Sequence, residues 1–231
     1  MFTDNAYVTI LMCSYLGVKD GNYNMKKIKV AGLGPGNPDY ILPAVRKAAE
    51  DSDIVIGGRR NIESIKELLE GKEIKYIDSR LAELAEYMKQ NRMKKITVIV
   101  SGDPGFYSML NYLENVFGRE ELEVIPGISS VQYMFARLGM HWYDAFVSSL
   151  HGKEFNFTEK LNDYNKIGLL TDSKFTPQRI AGELFKNKQN DVKIFVGENL
   201  SYENEKIWEF FPENLYDFDY KFGINVVVLV K

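Results

Sequence analysis

Ile28-Lys29-Val30-Ala31-Gly32-Leu33-Gly34-Pro35-Gly36-Asn37-Pro38 is the stretch on which the reading of this chain turns. A short apolar run ends in closely spaced glycines. A few residues on, Pro43 suits the first turn of a helix that carries Val45, Ala48 and Ala49 on one side. Strand, glycine turn and helix make the opening of a βα unit, and glycines at that turn let a ligand approach the backbone. The nicotinamide-binding fingerprint fits poorly. It wants a third glycine where Asn37 stands and an acid at the end of the second strand, where Gly57-Gly58-Arg59-Arg60 follows and Asp53 only precedes. Taken alone, the loop reads more readily as a tight turn with no ligand.

Outward from this unit the alternation continues. Asp53 to Ile56 reads as a second strand, Ile96 to Val100 as a buried one, and Val124 and Ile125 end the next. Between them Leu81, Leu84, Ala85 and Met88 keep the spacing of a helix face, with Ser79 as the expected cap. Another helix runs through Met109, Leu110 and Leu113, and Ser129 or Ser130 is expected to open one more. The pattern predicts an α/β fold around a mainly parallel sheet. Between His141 and Gly152 the rhythm changes. A short strand from Ala145 to Leu150 leads into a polar, aromatic stretch from Lys153 to Lys166. Apolar runs then fall at Ile167 to Leu170, Val192 to Val196 and Ile224 to Val230, with a helix near Gln178 to Lys186. The predicted division is an extension over residues 1–26 outside the fold, an N-terminal α/β lobe over 27–145 and a C-terminal α/β lobe over 146–231.

The chain has 231 residues, room for two compact lobes, and its 45% hydrophobic and 26% charged content is that of a globular protein. Its 29 basic and 32 acidic residues leave a formal charge of -3, which argues against a nucleic-acid partner. The single cysteine, Cys13, cannot make an internal disulfide, and no Cys and His cluster has metal-ligand spacing, so no metal is expected and a reduced cytoplasm is the expected location. Ala6 to Val18 is too short to span a bilayer, and it lacks the preceding basic residues and the cleavage site of a secretory signal. No membrane association is expected, and Met25 is read as an alternative start.

Two further small-residue loops follow strands: Ser101-Gly102-Asp103-Pro104-Gly105-Phe106-Tyr107, and Ile125-Pro126-Gly127-Ile128-Ser129-Ser130. Ligands of parallel sheets bind outside the carboxyl ends of the strands. A Gly-Asp-Pro string is often just a turn whose Asp bonds its own backbone, but three such loops at three strand ends exceed what turns require. The ordered set of Gly34-Pro35-Gly36, Gly102-Asp103-Pro104 and Pro126-Gly127-Ile128-Ser129 resembles the tetrapyrrole methylase family over nearly all of Ile28 to Lys231. The resemblance implies two α/β lobes, a cleft between them that takes S-adenosylmethionine, and a homodimer. It assigns cofactor contacts to Pro35, to Ser101, Gly102 and Asp103, to Phe106, to Ser129 and Ser130, and in the second lobe to Leu170 and the neighbourhood of Leu200.

Four other stretches refine it: Ile56-Gly57-Gly58-Arg59-Arg60, Arg137-Leu138-Gly139-Met140 through Trp142, Ser148-Ser149-Leu150-His151-Gly152, and Val196-Gly197-Glu198-Asn199-Leu200. Together they are similar to the carbon-5 methylating part of the precorrin-6Y methylases. The N-terminal extension and Ser201-Tyr202-Glu203-Asn204-Glu205-Lys206 depart from that pattern. The implied activity is methylation of carbon 5 of precorrin-7 or cobalt-precorrin-7 in cobalamin biosynthesis. Carbon-15 methylation and decarboxylation fall to a separate partner protein, since the two lobes use every βα unit as far as the final strand.

A corrin precursor carries many carboxylates, for which Arg59 and Arg60 are the candidate partners, although exposed basic residues are also common on solvated loops. The donor's sulfonium already activates its methyl group, so the protein has mainly to align a carbon nucleophile with it. Asp103 and His151 are the candidate catalytic groups. Asp103 serves equally to hold the cofactor's ammonium group. His151 serves as proton acceptor or substrate contact, or in a structural hydrogen bond, and His141 reads as structural. The rivals are a methylase of another substrate in the same family (a different tetrapyrrole carbon, ribosomal RNA or a translation-factor side chain) and a noncatalytic nucleotide-sensing module. The negative charge disfavours RNA, and Leu150-His151-Gly152 favours the corrin.

Overall fold

The computed structural model describes residues 26–151 and 155–231. Ala6 to Val18, Cys13, Met25 and Gly152, all used in reading the sequence, lie outside them. The first sheet contains β1 (Ile28–Gly32), β2 (Ile54–Gly57), β3 (Glu73–Tyr76), β4 (Ile96–Val100) and β5 (Leu122–Ile125), in the order β3-β2-β4-β1-β5, with every pairing parallel. A parallel sheet must be covered on both faces. α1 (Pro43–Glu50), which begins at the expected proline, and α2 (Arg59–Glu63) cover one face by burying Val45, Ala48, Ala49 and Ile62. α3 (Leu81–Gln90) and α4 (Leu110–Phe117) cover the other with Met88 and Leu113. β4 is buried throughout. Its one polar side chain, Thr97, meets the hydroxyl of Ser52 at 2.6 Å, so the core keeps no unpaired hydroxyl there.

Two details of the first lobe differ from the expectation. Arg80, not Ser79, occupies the cap position of α3, and it makes no side-chain cap bond. Asp78 organises the turn instead, accepting from the Arg80 N–H at 2.8 Å and pairing with its guanidinium at 2.7 Å. β3 was not expected at all. It lies at the sheet edge with no fully buried residue, so its Glu-Ile-Lys-Tyr sequence carries no apolar run to give it away.

The second sheet contains β6 (Phe146–Ser149), β7 (Lys166–Leu170), β8 (Lys193–Glu198), β9 (Lys206–Phe210) and β10 (Asn225–Val230), in the order β6-β7-β10-β8-β9. Only β6 and β7 pair in parallel, and the other three pairings are antiparallel. The expectation of a mainly parallel sheet therefore holds for the first lobe and not for the second, where β8 and β9 are consecutive strands joined by a short loop. One face packs on α5 (Ser130–Arg137) through Val131, Met134 and Phe135. α6 (Phe157–Lys160), α7 (Pro177–Lys186) and α8 (Pro212–Tyr216) lie with the other face, burying Phe157, Ile180, Leu184 and Leu215. α5 thus springs from the loop after β5 of the first sheet and covers the second.

Candidate functional site

The carboxyl ends of β1, β4 and β5 meet at a point where backbone touches backbone. Gly34 and Gly102 exchange main-chain hydrogen bonds of 3.2 and 2.9 Å, which locks the first loop to the second. A Cβ on Gly32 would lie 2.5 Å from the Gly102 carbonyl oxygen and 2.8 Å from the Gly127 nitrogen. The loops close up because Gly32 and Gly127 lack side chains, while Gly102 supplies a left-handed φ of 63°. Asp103 finishes the joint. One carboxylate oxygen accepts from Gly105 N–H at 2.8 Å, and the other accepts from Gly127 N–H at 3.0 Å, across to the third loop. Both oxygens of the residue read as an ammonium holder or catalytic group therefore already accept main-chain bonds, one within its own loop and one fastening that loop to the third.

Above this joint opens a cleft of about 1180 Å³, lined from both sheets. The first lobe contributes Pro35, Ser101, Gly102, Asp103 and Phe106 from the first two loops, with Ser129 and Ser130 from the third. Ser129 caps α5 in a reciprocal box with Gln132, at 3.1 and 3.0 Å, and so turns the N-terminal end of that helix toward the cleft. A helix N-terminus favours negative charge, which suits a carboxylate-bearing ligand. Leu170 and Leu200 line the cleft from the second lobe. All nine residues that sequence reasoning gave to the cofactor thus face one cavity.

The substrate candidates divide. Arg60 lines the cleft, whereas Arg59, its neighbour in α2, lies 4.6 Å over the ring of Tyr76 and is drawn to that aromatic face. Ser101 reaches the same helix, donating to Asn61 at 2.9 Å. His151 lines the cleft and also a second cavity of about 900 Å³, which adjoins the first at Thr171, Ile224 and Asn225. The main-chain N–H of His151 donates to the Ser149 hydroxyl at 3.1 Å. His141 lies elsewhere, stacked on Tyr143 and 3.4 Å from Asp144.

Several lining residues were missed. Tyr107 is the last residue of the second loop, and Asn111 and Glu114 form a wall on α4. The helical spacing that buries Leu113 already implies that residues 111 and 114 point away from the core, so this wall was readable in principle. Tyr202 was not. It comes from the segment Ser201 to Lys206 that departs from the family pattern, and its ring packs where a Cβ on Gly36 would stand, 2.5 Å away. Beside it Asn37 N–H donates to the Ser201 hydroxyl at 2.8 Å. Asn199 and Ser201 have φ of 48° and 68°, left-handed values that few non-glycine residues adopt.

Glu205 fastens this interlock. It accepts from Ser201 N–H at 2.6 Å and from the Arg137 guanidinium at 2.7 Å, and it bonds the Tyr133 hydroxyl. Burial raises the carboxyl's pKa, but these donors outweigh it and hold Glu205 below the ordinary glutamate range. Burial, followed by the bond to Glu205, pushes the Tyr133 phenol well above its usual value. No group of His, Cys, Asp and Glu among the described residues could hold a metal ion, and no helix among them is long and apolar enough to cross a membrane.

A sequence profile of the tetrapyrrole (corrin/porphyrin) methylases matches residues 27–215. The cobalt-precorrin-7 C(5)-methyltransferase of Salmonella typhimurium is 33% identical over 203 residues, covering 88% of this chain and 98% of that protein. A probable cobalt-precorrin-7 C(5)-methyltransferase of Methanocaldococcus jannaschii is 36% identical over 192 residues, or 78% of this chain and 87% of that one. Among solved structures, a cobalt precorrin-4 methyltransferase superposes with a TM-score of 0.76 at 21% identity, over 92% of this chain and 97% of its own.

Proposed function

The chain belongs to the tetrapyrrole (corrin/porphyrin) methylases, and from that premise we propose that it is an S-adenosylmethionine-dependent C-methyltransferase of cobalamin biosynthesis that methylates carbon 5 of cobalt-precorrin-7 or its metal-free form. The observation that carries the reading is the convergence of three strand-end loops and two second-lobe residues on one cleft. At about 1180 Å³ the cleft exceeds the roughly 300 to 1,000 Å³ usual for one small ligand, which leaves room for a macrocycle beside the cofactor.

When bound, S-adenosylmethionine supplies a methyl group already activated by its sulfonium. The residues of this chain then have to bind, orient and exclude water. The Gly32, Gly102 and Gly127 joint brings main-chain groups to the ligand, with Asp103 fixing their positions from behind. The N-terminal end of α5 favours the carboxylate end of the cofactor. Leu170 and Leu200 offer apolar cover from the second lobe. Arg60 stands where a substrate carboxylate can be met, and His151, at the waist between the two cavities, is the candidate to receive the proton that leaves the methylated carbon.

The Salmonella relative, named for carbon-5 methylation alone, is matched over nearly its whole length. That supports assigning carbon-15 methylation and decarboxylation to a separate protein. A homodimer in the cytoplasm completes the reading, and sedimentation of the purified chain tests the dimer. The decisive experiment incubates the protein with S-adenosylmethionine and a panel of late corrin precursors and reads the products by mass spectrometry. Gain of one methyl group by the carbon-5 substrate, without loss of carbon dioxide, is expected. Cofactor binding with no methylated product from any precursor would point to a noncatalytic module and overturn the proposal.

A further inference from the structure

We propose that Tyr107 is a specificity-determining residue of the cleft: its ring supplies the aromatic face against which the planar tetrapyrrole lies, and Ser148 positions that ring from the opposite lobe. The inference rests on the cleft being a tetrapyrrole methylation site, as argued above, but it names a contact which that reading does not.

Four observations meet at this residue. Tyr107 has φ of 52°, and a left-handed backbone is unusual for a bulky side chain. Such geometry persists where the surroundings over-determine it, and it clusters at ligand sites. Here the surroundings include the Phe106 ring, edge-on at 5.0 Å and 84°, and the hydroxyl of Ser148 on β6, 3.0 Å from the phenol oxygen. The second contact crosses the cleft from the first lobe to a side chain of the second that is only 7% exposed. Even so tied, Tyr107 remains 51% exposed, and it lines the concave cavity.

A staple needs only the hydroxyl, and its ring would gain from burial. A half-exposed ring held at a fixed angle inside a cleft instead suits offset contact with a flat conjugated partner. Its place in the chain agrees. Tyr107 is where the loop assigned to the cofactor passes into the wall of Asn111 and Glu114, the boundary at which donor and acceptor must meet. A tyrosine also makes such contact at little entropic cost, since only two side-chain torsions need ordering.

The test compares wild type with Tyr107→Leu, Tyr107→Phe, Ser148→Ala and the Phe/Ala double variant, using cobalt-precorrin-7 as substrate and S-adenosylhomocysteine as the calorimetric probe. Tyr107→Leu should raise KM for the tetrapyrrole about tenfold while the S-adenosylhomocysteine Kd moves less than about twofold. Tyr107→Phe and Ser148→Ala should each lower kcat/KM by about threefold, and the double variant should be no worse than either, because both break one link. Cofactor affinity falling in parallel with kcat/KM, or a KM unmoved in Tyr107→Leu, would overturn the assignment. If wild type binds S-adenosylhomocysteine but methylates no precursor, the proposed function fails. Tyr107 is then judged by absorbance-monitored binding of the same cobalt precursors. Weaker binding by Tyr107→Leu sustains its role as the contact face, and equal binding removes it.

Discussion

Asp103 accepts a main-chain N–H on each carboxylate oxygen, and one of those bonds spans two loops. Replacing it with Ala should cost about 1 to 3 kcal/mol of stability, the usual worth of hydrogen bonds to a charged group. Because the loops it joins line the cleft, S-adenosylhomocysteine affinity should also fall, and calorimetry beside a melting curve separates the two effects. A drop in melting temperature with unchanged affinity would mean that the loops hold their shape without it. Arg60 and Arg59 offer a second comparison. An exposed charge pair is worth about 0.2 to 1 kcal/mol, so Arg60→Gln should raise KM for the tetrapyrrole roughly 1.5- to 5-fold at low salt. Arg59→Gln, whose guanidinium lies on Tyr76, should change it less. Equal effects would show that both reach the substrate. At this scale the sequence revealed which residues gather at the site better than what each one does. The Gly-Asp-Pro string marks Asp103, but only the fold shows that its oxygens are taken by Gly105 and Gly127, the latter from a loop two elements away.

The loop between β8 and β9 is where sequence and fold part company most. Ser201 to Lys206 matched no expected pattern, yet it carries the Tyr202 and Ser201 contacts to the first lobe, with Glu205 beneath them. Contacts between segments so far apart leave no periodicity to read. β9 was hidden for a related reason, since its aromatic residues are only half-buried and alternate with charges. Glu205 also gives this loop a pH dependence. Its pKa is lowered in the fold, so its stabilising effect is present above the pKa of the unfolded chain and is lost as pH falls through the lowered folded value. Glu205→Gln should lower the melting temperature by roughly 2 to 8 °C at neutral pH, taking about 1 to 2 kcal/mol for the lost charged bonds and about 2 to 4 °C per kcal/mol. The gap between the two proteins should narrow as the pH is brought below the carboxylate range. A gap that stays constant with pH would mean that the carboxylate charge plays no part.

For the molecule as a whole, a cofactor held between two lobes should stabilise both together. S-adenosylhomocysteine at 100 times its Kd adds about 2.7 kcal/mol, so one cooperative transition should move up by roughly 5 to 10 °C. Two transitions, only one of them shifted by the ligand, would show that the lobes melt independently and that the ligand rests on one. The first lobe was legible almost strand by strand, because its buried parallel strands are continuous apolar runs with glycine loops at their ends. The second was legible only in part, because antiparallel strands joined by short loops do not announce themselves by βα alternation. The course of α5 has a bearing on how such proteins can be recombined. Val131, Met134 and Phe135, each worth about 1.5 to 3 kcal/mol when buried, spend their apolar surface on the second sheet, although the chain reaches them before β6. A hybrid enzyme joined at residue 145 would mate one parent's helix with the other parent's sheet, leaving a mismatched seam. The natural crossover point for exchanging lobes between relatives lies upstream, in the turn before Ser129, where helix and sheet travel as one inherited piece.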